Sequence, residues 1–266
     1  MFRAIQAIYS EGRALYLRKA VPDSADYARL RKNLVDCNVL AVDPDYARRA
    51  FRIPNNPDLP ADDICCLVDP FCYVSHLSAM QRYGLTNRRP EALHLSRPAA
   101  RLLRDMAMEK MQADQGLAMP ADKALRLHAV QHPPRVRKRK VHLFQTAHPG
   151  QSIAVRGGHA RIATIGQTFL DTLDSPALCG GMVEVLDIWR AHAATYLDDI
   201  AAAVDRASPG IVKVRAGYIL DEMLGIADDR IEAWRKFAQR GGSRLLDPAK
   251  GYAPRFSDKW MISLNV

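Results

Sequence analysis

The feature that most constrains the fold of this chain is a proline-rich stretch at residues 54–60. Three of its seven residues are proline. Proline fixes φ and lacks a backbone N–H, so neither a helix nor a sheet continues easily through such a stretch. The pattern predicts an interdomain linker, with a small domain over residues 1–60 and a larger one over 61–266.

The segment before the linker has the pattern of three helices and a hairpin. Apolar residues at helical spacing predict a short helix over 2–10, a second helical piece covers about 13–20, and Asp23 or Ser24 caps a third helix of about 13 residues. Two β-type runs follow, 39–42 and 48–53, separated by the turn-forming sequence Asp-Pro-Asp. This order predicts a winged helix-turn-helix, a DNA-binding fold.

The third helix has one apolar face and one basic face. Tyr27 and Leu34 lie on the face that we expect to pack, whereas Arg29 and Lys32 lie nearly opposite, and Arg31 flanks the apolar side. A helix with positive charge on the face that leaves the core suits the major groove, where guanidinium groups read guanine. We therefore expect Arg29, Arg31 and Lys32 to contact DNA.

Two further basic groups are candidates for contacts with phosphate. The hairpin contributes Arg48, Arg49 and Arg52, which would position the domain without reading sequence. The second group begins a predicted strand of the larger domain and consists of Arg135, Arg137, Lys138, Arg139 and Lys140. The alternative for both groups is a solvated surface with no nucleic-acid partner.

The sequence pattern of the larger domain predicts a mixture of helices and strands, so we expect the α+β fold class. Periodicity indicates helices over 75–83 and 98–115 and a short strand over 92–95. Strands over 141–146, 152–155 and 160–163 are expected to form a small antiparallel sheet. A C-terminal helical bundle follows, with segments at 165–174, 180–192, 196–206, 210–224 and 228–238, and a last strand at 260–264.

Charge is distributed unevenly along the chain, whose net charge is +9. Residues 1–54 hold ten basic and six acidic side chains, whereas residues 165–232 hold five basic and twelve acidic ones. The first segment suits a polyanion and the second does not. The sequence also lacks a long apolar segment or a secretory signal, so we expect a cytoplasmic protein without membrane contact.

Sequence motifs for catalysis or metal binding are weak. Cys65, Cys66, Cys72 and His76 lack the ligand spacing of a zinc site, and the prolines that follow His132 disfavour a helical His128–His132 pair. Two Asp-Asp pairs fall near helix starts, where acids complement the helix dipole. No nucleophile or phosphate-loop motif occurs. The sequence therefore predicts a protein that is not an enzyme, with no catalytic residue, metal or cofactor.

Three segments together resemble the AbiEi family of antitoxins from type IV toxin–antitoxin systems. The first is Tyr-Val-Ser-His-Leu-Ser-Ala at 73–79, with Tyr-Gly-Leu at 83–85 and a short strand at 92–95. The second runs from Ile165 to Asp174 and into the next helix, and it has Gly-Gln where the family has Glu-Arg. The third is Lys-Val-Arg-Ala-Gly-Tyr-Ile-Leu at 213–220. Their order and spacing carry the resemblance.

The resemblance implies an antitoxin that acts as a transcriptional repressor. Its N-terminal winged helix would bind double-stranded DNA at its own promoter and autoregulate the operon. Its larger C-terminal domain would counteract a nucleotidyltransferase-like toxin, by contact or indirectly. Two alternatives remain open, namely a protein-interaction module and a stand-alone transcriptional regulator without a cognate toxin.

Overall fold

The computed structural model describes residues 2–11, 19, 21–115, 130–239 and 244–266. Helices and strands are mixed throughout, as expected for an α+β chain. The helical piece predicted over 13–20 falls outside the described residues, except for residue 19. Within the described residues, no helix is long and apolar enough to span a membrane.

The N-terminal segment contains two described helices and a hairpin. Its elements are α1 (Phe2–Ser10), α2 (Ser24–Asp36), β1 (Ala41–Asp43) and β2 (Ala47–Arg52). Asp23 caps α2, because its carboxylate accepts hydrogen bonds from the backbone N–H groups of Ala25 and Asp26. The strands pair antiparallel, with a register shift between Val42 and Asp43. The predictions of α1, α2 and the hairpin are confirmed.

The proline-rich stretch contains no helix or strand, as predicted. The chain then forms α3 (Ala61–Val68), a helix that the sequence analysis missed. Six of its eight residues are buried, among them Asp62 and Asp63, whereas Leu67 is exposed. Because polarity does not follow burial here, apolar periodicity could not indicate the helix.

A six-stranded mixed sheet forms the centre of the larger region. Its strands in chain order are β3 (Tyr73–Val74), β4 (Ala92–Pro98), β5 (Arg135–Val136), β6 (Arg139–Thr146), β7 (Ser152–Ala154) and β8 (Arg161–Ala163). Across the sheet the order is β5-β6-β4-β3-β8-β7. The predicted small antiparallel sheet is confirmed for β7 and β8, which pair antiparallel. It is corrected for β6, which pairs parallel with β4, and β3 also pairs parallel with β8, so the whole sheet is mixed.

Long connections make these parallel pairs possible. Parallel neighbours require a crossover of a dozen or more residues. Between the parallel strands β4 and β6 the chain includes α5 (Ala100–Gln115), whereas α4 (His76–Arg82) joins β3 to β4, which pair antiparallel. The chain from β3 to its parallel neighbour β8 passes through both helices. The helices α4 and α5 agree with the sequence prediction, whereas the crossover role of α5 was not deduced.

The C-terminal region is a helical bundle, as predicted. It consists of α6 (Ile165–Asp174), α7 (Met182–His192), α8 (Leu197–Arg206), α9 (Gly210–Gly217) and α10 (Asp229–Ala233), with 3₁₀ turns at Pro176–Cys179 and Trp234–Phe237. The single helix predicted for 210–224 becomes π-helical at Tyr218–Met223. A short antiparallel pair, β9 (Phe256–Ser257) and β10 (Ile262–Ser263), ends the chain.

Candidate functional site

The basic face of α2 is exposed to solvent. The side chain of Arg29 is 73% exposed and its Nη2 lies 3.0 Å from Asp26 Oδ1. Lys32 is exposed and has no ion-pair partner within the described part of the chain. Both side chains are therefore available to a polyanion, although Arg29 would exchange one carboxylate contact for a phosphate.

Arg31 occupies a different environment from its two neighbours. Its guanidinium carbon lies 5.5 Å from the ring centre of Tyr27 and 5.2 Å from that of Phe51. Such cation–π contacts attach the helix to the hairpin, because Tyr27 belongs to α2 and Phe51 to β2. In this arrangement Arg31 packs two elements together, so it is a poorer candidate for DNA contact than the sequence pattern suggested.

The second strand of the hairpin carries three exposed arginines, Arg48, Arg49 and Arg52. None of them forms a salt bridge with another described residue. Since Arg31 holds α2 against the same strand, the free cations of helix and strand belong to one packed unit. A winged helix presents its charges on such a unit, but the fold itself remains a prediction.

The second basic group surrounds the turn between β5 and β6. Arg135, Lys138 and Lys140 are exposed, whereas Arg139 is half-buried and its burial lowers the pKa of the guanidinium. Arg137 and Lys138 form the turn itself, with φ values of 48° and 65°. Such a left-handed two-residue turn normally uses Asn or Gly, so two basic residues here are held under strain by their surroundings.

Arg137 contacts three carboxylates of the N-terminal segment and its linker. Its Nη2 donates to Asp43 Oδ2 (2.6 Å), its Nε donates to Asp58 Oδ1 (2.8 Å), and its Nη1 pairs with Asp45. Burial disfavours the charged form of Asp43, but hydrogen bonds from Arg137 and two backbone N–H groups outweigh it and lower the pKa. These contacts occupy the donors with which Arg137 would bind phosphate, so we describe it as a clamp between hairpin and sheet.

A second contact between hairpin and sheet lies beside this clamp. Tyr46 is buried, and its hydroxyl lies 2.6 Å from His132 Nδ1 and 3.4 Å from Cys65 Sγ. The residues of this contact come from three distant parts of the chain. No sequence spacing could have indicated that they meet.

A pocket of about 470 Å³ lies between the sheet and the bundle. The end of β6 and the loop after it, residues 144–151, form one wall, and His76, Gln167, Asp171 and Arg206 line the rest together with apolar groups. Asp171 is buried, one of its oxygens accepts a hydrogen bond from Gln167 Nε2 (2.8 Å), and Oδ2 has no hydrogen-bond partner. Burial raises the pKa of this carboxyl to about 7.

The imidazole of His76 is neutral in this pocket, because burial lowers its pKa to about 3. Its Nδ1 lies 2.8 Å from Ser75 Oγ, to which Ser96 Oγ donates at 2.8 Å. A carboxyl group that titrates near pH 7 beside hydroxyl groups and a neutral imidazole can hydrogen-bond a small polar ligand. The sequence analysis assigned no site here, since these residues meet only through the fold.

A scan against protein-family models finds no match to this chain, and a search of curated proteins finds no similar sequence.

Proposed function

We propose that the protein is a DNA-binding transcriptional regulator whose interface is formed by α2 and the hairpin. One observation carries this proposal. Lys32, Arg48, Arg49 and Arg52 are exposed without an ion-pair partner among the described residues, on two elements that Arg31 joins. Unpaired cations on one unit favour a polyanion, because each phosphate contact releases condensed counterions from DNA.

The remainder of the chain supports the choice of this end of the molecule. The bundle carries the excess of acidic side chains noted above, and several of its few cations are already paired, for example Arg190 with Asp187 and Arg230 with Asp228. An acidic surface repels DNA. The second basic group supplies Arg135, Lys138 and Lys140 as exposed candidates for extra phosphate contacts, whereas Arg137 is engaged elsewhere.

We further propose that the protein acts as the antitoxin of an AbiE-like type IV system. The support is that the three segments with this resemblance pack against one another. Leu77 of α4, Phe169 of α6 and Val214 of α9 belong to one buried core, and α6 contacts both other helices. The resemblance thus falls on a single structural unit, which would counteract a nucleotidyltransferase-like toxin.

The DNA proposal is tested with the double variant Arg49→Ala, Arg52→Ala. Binding to a duplex from the protein's own promoter and to a random duplex of equal length is measured at several salt concentrations. If both arginines contact phosphate, affinity falls for both duplexes and the salt slope decreases by up to about 2. Arg190→Ala is the matched control, since Arg190 is exposed on the acidic bundle. Equal affinities and slopes in all three proteins would reject the interface.

The antitoxin proposal needs a separate experiment in cells. A nucleotidyltransferase gene adjacent to this one would be expressed with the wild type or with the same double variant. We expect both forms to relieve toxicity, while only the wild type represses the promoter. Loss of both properties in the double variant would contradict a division between DNA binding and neutralisation. Absence of relief by the wild type would favour the stand-alone regulator.

A further inference from the structure

Three potential metal ligands from separate parts of the chain meet beneath the N-terminal hairpin. Asp69 follows α3, Cys72 precedes β3, and His132 lies in the segment before β5. One ligand atom from each lies within 4.8 Å of the others. Asp69 and Cys72 are buried, and the side chain of His132 is only 2% exposed. The three atoms thus face one small volume that bulk water does not reach.

The hydrogen bonds of His132 leave one ring nitrogen without a partner. The Tyr46 hydroxyl lies 2.6 Å from His132 Nδ1 and 3.4 Å from Cys65 Sγ, and when Nδ1 carries the ring proton, the hydroxyl accepts from Nδ1 and donates to the sulfur. A neutral imidazole in this tautomer presents a lone pair at Nε2. That atom has no hydrogen-bond partner and lies 3.6 Å from Asp69 Oδ2. In that tautomer, two acceptors face each other across a gap longer than a hydrogen bond.

A cation between these atoms would give Nε2 the partner that it lacks and would be a second positive neighbour of Asp69 Oδ2 beside Arg97, and Cys72 supplies a third ligand. We propose that Asp69, Cys72 and His132 bind one divalent transition-metal ion of the zinc class. Nitrogen, sulfur and oxygen ligands together suit a borderline-soft ion, and three protein ligands leave a fourth position for water. Metal–ligand distances of about 2.0–2.3 Å require only small side-chain shifts from the present separations.

The surroundings also provide the outer contacts that metal ligands need. Tyr46 orients the imidazole through Nδ1, and Asp69 Oδ1 accepts from the backbone N–H of Phe71 at 3.0 Å. Arg97 Nη1 lies 3.3 Å from Asp69 Oδ2 and also donates to the Val130 carbonyl at 2.7 Å. The ion displaces the thiol proton of Cys72, so thiolate and carboxylate balance its two charges and Arg97 remains as a hydrogen-bonded neighbour.

The competing arrangement is an imidazolium of His132 beside the Asp69 carboxylate, with no metal. Metal analysis of the full-length protein distinguishes the two. We expect about one zinc ion per chain after purification without chelator. Cobalt(II) added to the chelator-treated protein should give the visible bands of a tetrahedral site and a thiolate charge-transfer band. Less than a tenth of an equivalent of either metal in the wild type would overturn the proposal.

Variants assign the ligands. Cys72→Ser should abolish the thiolate charge-transfer band, and His132→Gln should lower cobalt affinity at least tenfold. Tyr46→Phe removes only the outer contact, so it should lower affinity about tenfold without changing the spectrum. Cys179→Ser is the control, because this thiol is buried in the core of the bundle. An unchanged charge-transfer band in Cys72→Ser would also reject the site. If a variant fails to fold, the metal content of the wild type decides whether the site exists.

Discussion

The N-terminal segment and the helical bundle differ in how much apolar surface each buries. Among the described residues before the end of the linker, only Ile5 and Tyr46 are buried hydrophobic side chains, whereas the bundle shares a continuous core that includes three buried tryptophans. The hairpin is attached by the Arg137 clamp, the Tyr46 hydroxyl and the packing of the Tyr46 ring against the core of the sheet. The bundle is held by apolar burial that it shares with α4, while the hairpin depends on a few side chains for its position.

The largest expected effect comes from removing a ring in the bundle. Phe169 is fully buried and contacts Trp189 edge-to-face, with ring centres 5.2 Å apart. Phe169→Ala should lower the free energy of unfolding by about 3–5 kcal/mol, since it loses apolar burial and leaves a cavity. Chemical denaturation followed by tryptophan fluorescence measures this change.

Val183→Ala tests whether burial is the cause of that effect. Val183 also lies in the bundle, on α7, but it is 59% exposed. Its substitution should change the free energy of unfolding by less than about 0.5 kcal/mol. Similar effects of the two substitutions would mean that the bundle is not held by its apolar core.

The clamp gives the next largest effect, and here it should be local. Arg137→Ala leaves Asp43 buried without its main partner, which costs about 3 kcal/mol in attaching the hairpin to the sheet. We expect faster hydrogen exchange in β1 and β2 and faster proteolysis within residues 54–60. Exchange in the helices of the bundle should stay as in the wild type.

Lys138→Ala is the control for the clamp, because Lys138 occupies the other turn position and is exposed. It should leave hairpin exchange unchanged. If Arg137→Ala also leaves hydrogen exchange in the hairpin unchanged, the ion pairs with Asp43, Asp45 and Asp58 do not hold the hairpin. Arg137 is then again a candidate for phosphate contact.

Local features of the N-terminal segment could be predicted from the sequence, because short-range chemistry determines them. Asp23 capped α2 as its position indicated, and the Asp-Pro-Asp turn joined two strands. The solvent-facing Arg29 and Lys32 followed from helical periodicity alone. Each of these features depends on residues within a few positions of one another.

Features that depend on tertiary contact could not be predicted in the same way. Arg137 belonged to a charged run that is typical of a solvated loop, and only the fold brings Asp43 and Asp58 to it. Likewise, Cys72 and His132 lie far apart in sequence, and Asp171 loses solvent only when the sheet and the bundle close around it. A sequence pattern indicates an ionisable side chain but not its partner.

A third prediction compares two of the buried carboxylates, Asp43 and Asp171. Arg137 pairs with the first, but the second has an unpartnered oxygen and a pKa of about 7. Its folded pKa lies above the unfolded value, so this group's stability contribution is lost as pH rises from about 4 to about 7. Asp171→Asn should therefore raise the free energy of unfolding by about 4 kcal/mol at pH 8 and by little at pH 4.

The difference between variant and wild type isolates this group from the buried histidines. His76 and His94 have folded pKa values lowered to about 3 and about 4, so both proteins lose stability as pH falls below about 6.5. That loss cancels in the difference. A difference that does not grow between pH 4 and pH 8 would show that Asp171 is ionised without cost.

The smallest effects separate the two faces of α2. Arg31 stacks over Tyr27 and Phe51, so Arg31→Ala should lower the free energy of unfolding of the helix–hairpin unit by about 1 kcal/mol. Arg29→Ala should change it by less than about 0.5 kcal/mol, because Arg29 is exposed and its ion pair with Asp26 is screened. Hydrogen exchange in α2 and β2 measures both changes.

DNA binding should respond in the opposite order. Arg29 faces solvent, so its loss should weaken specific binding, and each guanine contact is worth about 1–3 kcal/mol. Arg31→Ala should weaken binding to specific and random DNA alike. The loss of affinity should come only from weaker packing of α2 against the hairpin. A variant at Arg31 that binds weakly while the hairpin remains as protected as in the wild type would mean that this guanidinium reaches DNA directly. The stacking contacts would then exist only in the free protein, and the basic face of α2 would be wider than the helical pattern indicates.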